Sequence, residues 1–330
     1  MNRRGIRGVL ATLATLVVSL TFVSVGVDAA AKRPAPTPTP TPTASPTTNP
    51  TPTPTPAPQP VYVALGDSYA AGVGGGSYIQ DGTGCYRTLK GYPGLIATEK
   101  GYALDLQACS GAKIADVTSG LPQSKLSSAD YVTVTVGGND VGFSSVLSTC
   151  IGTSEAACLT AVQNAVTTAQ TLLPAQLTDL FETIEAAAPA GATIVATGYP
   201  RLLSATRADC SYLTTVSSKE RDALNAGAVT LSEVISDAAL AAGIDYADVL
   251  PDFLGHGVCD SSAWIYNASL FSTYQSYHPT ATGYLSGYKP AVAIALGATS
   301  SGTAMTVTTG GKTSTDTTRG TVKIPKSQKD

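Results

Sequence analysis

Metal ligands are scarce in this chain of 330 residues, which carries two histidines and six cysteines. A zinc site is usually built from three or four Cys, His or carboxylate ligands at short spacings. No two of the cysteines form a Cys-x-x-Cys pair, and the histidines are too few to complete a ligand set. The sequence therefore predicts no metal site.

Charge is also sparse, because Asp, Glu, Lys and Arg together make up 13% of the chain. Residues 61 to 296 carry 20 acidic and 10 basic side chains, a net charge near −10. A polyanion would be repelled by such a domain. We therefore expect no nucleic-acid partner, and we expect neutral or zwitterionic substrates rather than strongly anionic ones.

The amino-terminal 31 residues have the pattern of an export signal. Three arginines lie within the first seven residues, an apolar stretch covers residues 9–27, and small residues at 29–31 offer an A-x-A cleavage site. This order predicts a signal peptide over residues 1–31 and a secreted protein. The alternative is a retained membrane anchor, since the apolar stretch is nearly long enough to span a bilayer.

Two further segments have too few apolar residues to build a core. Residues 32–60 are rich in Pro and Thr, and 12 of the 21 prolines fall between Pro34 and Pro60. In polyproline II geometry this linker would extend roughly 80 Å, at about 3.1 Å per residue. It is either a stalk that associates with the cell wall or an inert spacer. Residues 298–330 read as a flexible polar tail, which leaves one domain at 61–297.

All six cysteines lie inside this domain. They are Cys85, Cys109, Cys150, Cys158, Cys210 and Cys259. An even number of cysteines in an exported chain favours three disulfides over metal ligation. Sequential pairing is the simplest connectivity, although the residues alone leave the others open.

Short β-branched runs alternate with helical patterns across the domain. We predict strands at 61–65, 131–136, 193–197 and 244–249. We also predict helices at about 217–242 and 281–296, and one whose apolar spacing runs from Leu173 to Ile184 and which stops at Pro189-Ala190-Gly191. Apolar strands separated by helices indicate an α/β fold with a parallel sheet and right-handed crossovers. In such sheets the active site lies at the carboxyl ends of the strands.

Ser68 follows the first predicted strand within Gly66-Asp67-Ser68-Tyr69, where a nucleophile could be exposed. A serine hydroxyl needs a neighbouring base to become nucleophilic. His278 is the preferred base, because it lies in a loop-like Tyr-His-Pro segment before a helical one. His256 lies between two glycines, and we expect it to be a solvated surface residue.

Two more segments could stabilise an oxyanion. Asn139 follows the second predicted strand in Gly-Gly-Asn-Asp, where its amide could donate a hydrogen bond, although such a sequence also forms ordinary turns. The backbone N–H of Gly111, in Cys-Ser-Gly-Ala, could be a second donor if that loop lies beside Ser68.

These four segments together resemble those of the SGNH, or GDSL-type, hydrolases. The six cysteines and the segments Gly198-Tyr199-Pro200 and Gly255-His256-Gly257 also resemble the secreted actinobacterial esterase, lipase and phospholipase branch. The resemblance implies a flavodoxin-like, three-layer α/β/α fold without metal or cofactor. It also implies that Ser68 is the nucleophile and His278 the base, and that Gly111 and Asn139 belong to the oxyanion hole. The implied disulfides are Cys85–Cys109, Cys150–Cys158 and Cys210–Cys259.

One position departs from the family pattern. Many members carry an Asp three residues before the histidine, where this chain has Gln275. We therefore expect a Ser68–His278 dyad in which a main-chain carbonyl, that of Gln275 or Ser276, orients the imidazole. The α/β-hydrolase elbow, Gly-x-Ser-x-Gly, does not surround Ser68.

The sequence thus predicts a secreted, monomeric esterase or lipase that hydrolyses small-molecule or lipid esters through an acyl-enzyme. A polysaccharide O-acetyl esterase is one alternative, and a non-catalytic cell-wall binding module is another. Four tyrosines after the nucleophile could line an acyl or sugar site, although ordinary packing is the expected role of most. They are Tyr69, Tyr78, Tyr86 and Tyr92.

Overall fold

A computed structural model describes residues 58–206, 216–269 and 271–297. The predicted signal peptide at 1–31, nearly all of the predicted linker at 32–60, the tail at 298–330 and Cys210 lie outside the described residues. No helix in the described ranges is long and apolar enough to cross a membrane.

Within these ranges, five parallel strands form one sheet in the order β2-β1-β3-β4-β5. The strands are β1 (Val61–Gly66), β2 (Ala103–Leu106), β3 (Tyr131–Thr135), β4 (Thr193–Thr197) and β5 (Asp245–Ala247). This is the flavodoxin-like order, in which the chain reverses direction across the sheet after β2. The predicted fold class is therefore confirmed.

The helices follow the strands in alternation. They are α1 (Ser68–Ala71), α2 (Tyr92–Lys100), α3 (Ile114–Ser119), α4 (Gln123–Leu126), α5 (Phe143–Gly152), α6 (Glu155–Thr171), α7 (Leu173–Ala187), α8 (Ser218–Ala242) and α9 (Lys289–Gly297). A 3-10 turn (Thr273–Gln275) and a π-helical segment (Gly283–Tyr288) complete the described elements. α2 and α9 pack together on one face of the sheet, and α3, α7 and α8 cover the other. The α5–α6 pair packs outside α8.

The two long helices form where the apolar spacing predicts them. In α7 the periodic residues Leu177, Leu180 and Ile184 are fully buried, and Pro174 occupies the first turn, where a missing N–H is tolerated. In α8 a capping box starts the helix, because Ser217 accepts from the Glu220 backbone N–H while the Glu220 carboxylate accepts from that of Ser217. These ends are set by local chemistry and need no tertiary information.

Three elements differ from the sequence expectation. The strand predicted at 244–249 is shorter, because only Asp245–Ala247 pairs with β4. The edge strand β2 was not predicted, since Ala103–Leu106 is short and only partly buried. The helix predicted at 281–296 contains the π-helical segment before α9. Its buried residues Tyr284 and Tyr288 each donate a hydroxyl hydrogen to a distant carbonyl, at Val73 (2.8 Å) and Gly198 (3.0 Å). The π-helical turn accompanies these two long-range hydrogen bonds. The spacing of apolar residues in the sequence gives no indication of them.

Candidate active site

Ser68 lies directly beyond the carboxyl end of β1, at the first position of α1. The chain turns at Gly66, which has φ +122° and is so close to the Thr135 carbonyl that no side chain would fit. Asp67 then donates its N–H to the same carbonyl at 2.8 Å, and its carboxylate caps α1 by accepting from the Tyr69 N–H at 2.9 Å. The neighbouring strand and this cap fix the serine in place.

Ser68 and His278 are 210 residues apart in sequence and in contact in space. Ser68 Oγ lies 2.7 Å from His278 Nε2, which is hydrogen-bonding distance. The opposite ring nitrogen, Nδ1, lies 3.1 Å from the carbonyl oxygen of Ser276. Because a carbonyl only accepts, Nδ1 carries the hydrogen, and Nε2 faces the serine hydroxyl as an acceptor.

The histidine loop is held by backbone pairing with a neighbouring segment. Tyr277 donates its N–H to the Tyr266 carbonyl, and Tyr266 donates to the His278 carbonyl, both at 2.9 Å. The Tyr69 hydroxyl donates to the Tyr277 carbonyl at 2.6 Å, which links this loop to α1. Gln275, where many relatives of the resembled family carry an acid, accepts from the His278 N–H through its carbonyl.

Burial controls the charge of the histidine. It lowers the pKa of His278 to about 4, while hydrogen bonding to the carbonyls of Ser276 and Gln275 opposes this shift only in part. Protonation of a ring that is removed from water costs solvation energy unless an anion offsets it. The carbonyl oxygens of Ser276 and Gln275 are neutral, so no anion offsets this cost. The imidazole is therefore uncharged across the neutral pH range.

Gly111 is brought beside Ser68 by the loop that follows β2. Cys109 donates its N–H to the Gly66 carbonyl at 2.9 Å, and Ser110 donates to the Cys85 carbonyl at 3.1 Å. The Ala112 N–H closes a turn onto the Cys109 carbonyl, with Gly111 at φ +84°. A Cβ at this position would have no neighbour within 4 Å, so there is room for a side chain. Glycine is favoured here because of the positive φ angle.

Asn139 follows β3 in the next loop along the sheet. Its Nδ2 donates to the Ala112 carbonyl at 3.0 Å, which uses one of the two amide hydrogens and fixes the direction of the other. Asn139, Gly111, Ser68 and His278 all line one cavity. In the described part of the chain, the N–H groups of Ser68 and Gly111 donate to no protein acceptor. The sequence-predicted site residues are thus brought together.

A buried tyrosine that the sequence reasoning left without a role joins three of the strand-end loops. The Tyr199 hydroxyl donates to Asp67 Oδ2 at 2.6 Å and accepts from the Gly138 N–H at 3.0 Å. Burial raises the pKa of Asp67 to about 7, against the lowering effect of the Tyr199 and Tyr69 hydrogen bonds. The only sequence signal for this residue is its position after β4, within Gly-Tyr-Pro.

A second carboxylate connects the two candidate oxyanion loops. Asp140, next to Asn139, accepts from the Ile114 N–H at the start of α3 through both of its oxygens at 3.2 Å. Burial raises the pKa of Asp140. The loop that carries Asn139 and the loop that carries Gly111 are therefore joined directly.

The site opens into an apolar cavity of about 640 Å³. Its polar end contains Ser68 and His278, and its far end lies between α5, α6 and α8. Apolar lining residues from these three helices include Phe143, Leu147, Ile151, Val162, Val166 and Leu224. The α5 stretch from Phe143 to Ile151 alone spans about 12 Å at 1.5 Å per residue. The cavity is suited to a hydrocarbon chain.

Two disulfides brace this region. Cys85 pairs with Cys109 beside the Gly111 turn, and Cys150 pairs with Cys158 between α5 and α6. The third expected pair is Cys210–Cys259. Cys259 is disulfide-bonded, whereas Cys210 lies outside the described residues, so this pairing stays a prediction.

His256 takes no part in the site, although it is not simply solvated as expected. Its ring stacks on Trp264 at 3.5 Å, and its Nδ1 lies 2.6 Å from the Ser262 carbonyl. Of the four tyrosines that follow Ser68 closely, Tyr69 and Tyr92 are buried in the core. Tyr86 instead stacks on Tyr274 near the cavity, and Tyr78 contacts both of these rings edge-on.

A parallel sheet in flavodoxin-like order, with Ser, Gly, Asn and His meeting beyond the ends of its strands, defines an SGNH hydrolase. A match to the GDSL-like Lipase/Acylhydrolase family covers residues 64–285. Over 230 residues the chain is 40% identical to a lipase of Streptomyces rimosus, which spans 69% of this chain and 84% of the lipase. Lipase 1 of Streptomyces coelicolor is 38% identical with the same coverage.

Two solved structures agree with this assignment. The extracellular lipase of S. rimosus matches with a TM-score of 0.67 and phospholipase A1 of Streptomyces albidoflavus with 0.68. Each is 39% identical and covers 72% of this chain and 99% of its own. The chain belongs to the GDSL-like lipase/acylhydrolase family, in its actinobacterial lipase branch. It is a carboxylic ester hydrolase.

Proposed function

We propose that the protein is a secreted lipase that uses a Ser68–His278 dyad to hydrolyse esters of medium-chain or long-chain fatty acids. The observation that carries the proposal is the contact of Ser68 Oγ with His278 Nε2 at 2.7 Å, at the polar end of the apolar cavity. A nucleophile, its base and a hydrocarbon site are then contiguous.

The reaction begins when Ser68 Oγ attacks the ester carbonyl carbon and its proton passes to His278 Nε2. Negative charge collects on the former carbonyl oxygen, which accepts from the N–H groups of Ser68 and Gly111 and from the Asn139 amide. The carbon–oxygen bond to the alcohol breaks as the leaving oxygen takes the proton from Nε2. Water then attacks the acyl-enzyme, loses a proton to the same nitrogen and releases the fatty acid and Ser68.

The carbonyl of Ser276 does part of the work of the missing acid. It accepts the Nδ1 hydrogen, so Nε2 stays free to remove the serine proton. In a serine protease, loss of the orienting carboxylate costs about 10⁴-fold, because the wrong tautomer forms. A carbonyl prevents that error, although as a neutral group it stabilises the imidazolium less than a carboxylate would.

The acyl specificity follows from the cavity. Its walls on α5, α6 and α8 are almost wholly apolar, which favours burial of methylene groups by about 0.8 kcal/mol each. An acetyl group would leave most of this space unfilled. The cavity therefore argues against a polysaccharide O-acetyl esterase. The names of the Streptomyces relatives, lipases and a phospholipase A1, support a lipid ester as the substrate.

Export and a monomeric state are part of the same proposal. The leader pattern at 1–31 and the description of the S. rimosus relative as extracellular support secretion. Cell-wall association would depend on the Pro/Thr-rich linker. Deletion of residues 32–60 should then move activity from the wall fraction to the medium, and an unchanged distribution would make the linker an inert spacer.

The mechanism is tested with Ser68→Ala and a series of aryl esters from acetyl to palmitoyl. We expect the variant to lose hydrolysis of every ester, and the parent enzyme to prefer octanoyl or longer chains over acetyl. Ser144→Ala is a matched control, because Ser144 is a serine on α5 that lines the same cavity. Activity retained by Ser68→Ala would refute the nucleophile, and an acetyl-only profile would favour the O-acetyl esterase.

A further inference from the structure

Two long stretches around the catalytic cavity lack charged side chains. Residues 141–154 and 261–288 contribute much of the lining and contain no Asp, Glu, Lys or Arg, while Asp67, which also lines the cavity, is buried. The last stretch runs for 28 residues in a chain that carries 43 such residues in total. A typical soluble domain has about one charged residue in four. These two stretches are therefore neutral on an otherwise acidic domain.

Aromatic side chains stand out of this neutral surface. Phe271, between the cavity-lining residues Ser269 and Thr273, is 99% exposed. The Tyr86 and Tyr274 rings stack at 4.6 Å and remain 39% and 37% exposed. Tyr274 itself lines the cavity. We call Tyr86, Phe271 and Tyr274 the aromatic rim.

Exposure of such groups to water is unfavourable, so their position at a cavity mouth indicates a contact surface. Burial of one phenylalanine side chain contributes enough to change an affinity by an order of magnitude or more. Tyrosines are stable at the boundary between water and hydrocarbon, because the ring is apolar and the hydroxyl remains hydrated. The stretches 141–154 and 261–288 would bring no charge to that contact, and two charges near Tyr86, Asp81 and Arg87, are paired with each other at 2.7 Å.

We propose that the aromatic rim docks on the surface of a neutral or zwitterionic lipid aggregate, with the cavity mouth facing the lipid. An acyl chain would then pass from the aggregate into the cavity without crossing water. The domain's net charge, near −10, would weaken docking on anionic lipid. The transfer of an acyl chain into the cavity rests on the proposed function. Docking itself does not, because it requires no chemistry at Ser68.

The test measures co-sedimentation of the full-length exported protein, carrying Ser68→Ala, with phosphatidylcholine vesicles. Phe271→Ser in that background should lower the partition coefficient about tenfold. Leu240→Ser is the matched control. Leu240 is 64% exposed near the carboxyl end of α8. It therefore lies by the amino end of β5, whereas the site lies beyond the carboxyl ends of the strands. This control should bind as the parent does. Vesicles rich in phosphatidylglycerol should bind more weakly at low salt.

Equal binding by Phe271→Ser and its parent would overturn the proposal, as would an equal loss in Leu240→Ser or tighter binding to anionic vesicles. Concentration-dependent dimerisation that Phe271→Ser abolishes would instead assign the rim to a second copy of the chain. Phe271-dependent binding to acetylated xylan, without vesicle binding, would assign it to polysaccharide.

A second readout separates docking from catalysis. With Ser68 intact, Phe271→Ser should hydrolyse a monomeric butyryl ester at the parent rate, and lose activity only on aggregated substrate. Equal losses on both substrates would show that the residue acts on the site rather than on docking. If Ser68→Ala proves active, the proposed mechanism fails while the vesicle measurement remains valid.

Discussion

Tyr199 donates its hydroxyl hydrogen to Asp67 at 2.6 Å, across 132 residues of sequence. The same oxygen accepts from the Gly138 N–H, so one phenol joins the loops that follow β1, β3 and β4. Asp67 precedes the proposed nucleophile, and Gly138 precedes the proposed oxyanion residue Asn139. The relative position of these two groups thus depends on a hydrogen-bond network whose three members also line the cavity.

Asp67→Ala should therefore destabilise the protein. It removes the cap of α1, worth about 1 kcal/mol, and leaves the buried Tyr199 hydroxyl without an acceptor, worth about 1–3 kcal/mol. We expect a loss of about 2–4 kcal/mol in the free energy of unfolding, measured in urea. Asp67→Asn keeps an oxygen for the cap and should lose less. An alanine variant as stable as the parent would show that the network is not needed.

The stability of the parent should also depend on pH through Asp67. Its pKa is about 7 in the native state and near 3.8 without the fold, so native protein binds more protons than unfolded protein between these values. The Asp67 contribution is present below about pH 4 and is lost as pH rises through 7. His278 has the opposite sign below its ordinary pKa. The difference in the free energy of unfolding between the parent and Asp67→Asn, measured across this pH range, isolates the contribution of Asp67. A difference that does not change with pH would contradict the prediction.

Asn139→Ala should reduce turnover far more than substrate binding. Loss of one oxyanion donor typically costs about 100- to 1000-fold in kcat, because the interaction is strongest in the transition state. We expect a loss of this size on an octanoyl ester with little change in KM. Asn164→Ala, at an exposed position of α6, is the control. A change confined to KM would show that Asn139 binds the ground state instead.

The acid limb of the pH–rate profile should be displaced. The proposed base must be neutral, and burial lowers the pKa of His278 to about 4. The value of kcat/KM for a soluble ester should stay on its plateau at about pH 5–6 and fall only near 4. A histidine with the ordinary pKa of about 6.5 would already lose activity at pH 6. An acid limb near 6.5 in both parent and Asp67→Asn would refute the lowered value.

Local sequence patterns predicted much of the fold. The apolar runs of β1, β3 and β4, the 3.6-residue period of α7 and the helical stretch at 217–242 are all local features. Strand β2 was missed because Ala103–Leu106 is short and half-exposed. The π-helical segment was missed because contacts of Tyr284 and Tyr288 with distant carbonyls determine it.

The site divides in the same way. Ser68, Asn139 and His278 lie in recognisable segments, and a parallel sheet brings its strand ends together. The Ser276 carbonyl was one of two candidates for the contact with Nδ1, and only the geometry of the loop distinguishes it from Gln275. Tyr199 had no assigned role, since nothing local marks its contact with Asp67. The cavity was not predicted, because it depends on how α5 and α6 pack against α8.

A larger side chain in place of Gly227 should limit the length of the acyl chain. Gly227 lies on α8 in the cavity lining, and an added Cβ would meet Val162 and Val166 at 3.6 Å, an ordinary contact. Gly227→Ala should therefore fold normally, with up to about 1 kcal/mol more helix stability.

A leucine at this position would fill the cavity between α6 and α8. Gly227→Leu should lower kcat/KM on palmitoyl esters at least about tenfold and leave butyryl esters nearly unchanged, because a short chain does not reach this depth. Ala226→Leu, at the adjacent exposed position, is the matched control. The measurement is kcat/KM against acyl chain length for Gly227→Ala, Gly227→Leu and Ala226→Leu. A uniform loss on all esters would indicate a distorted site, and an unchanged profile would place the acyl chain outside this cavity.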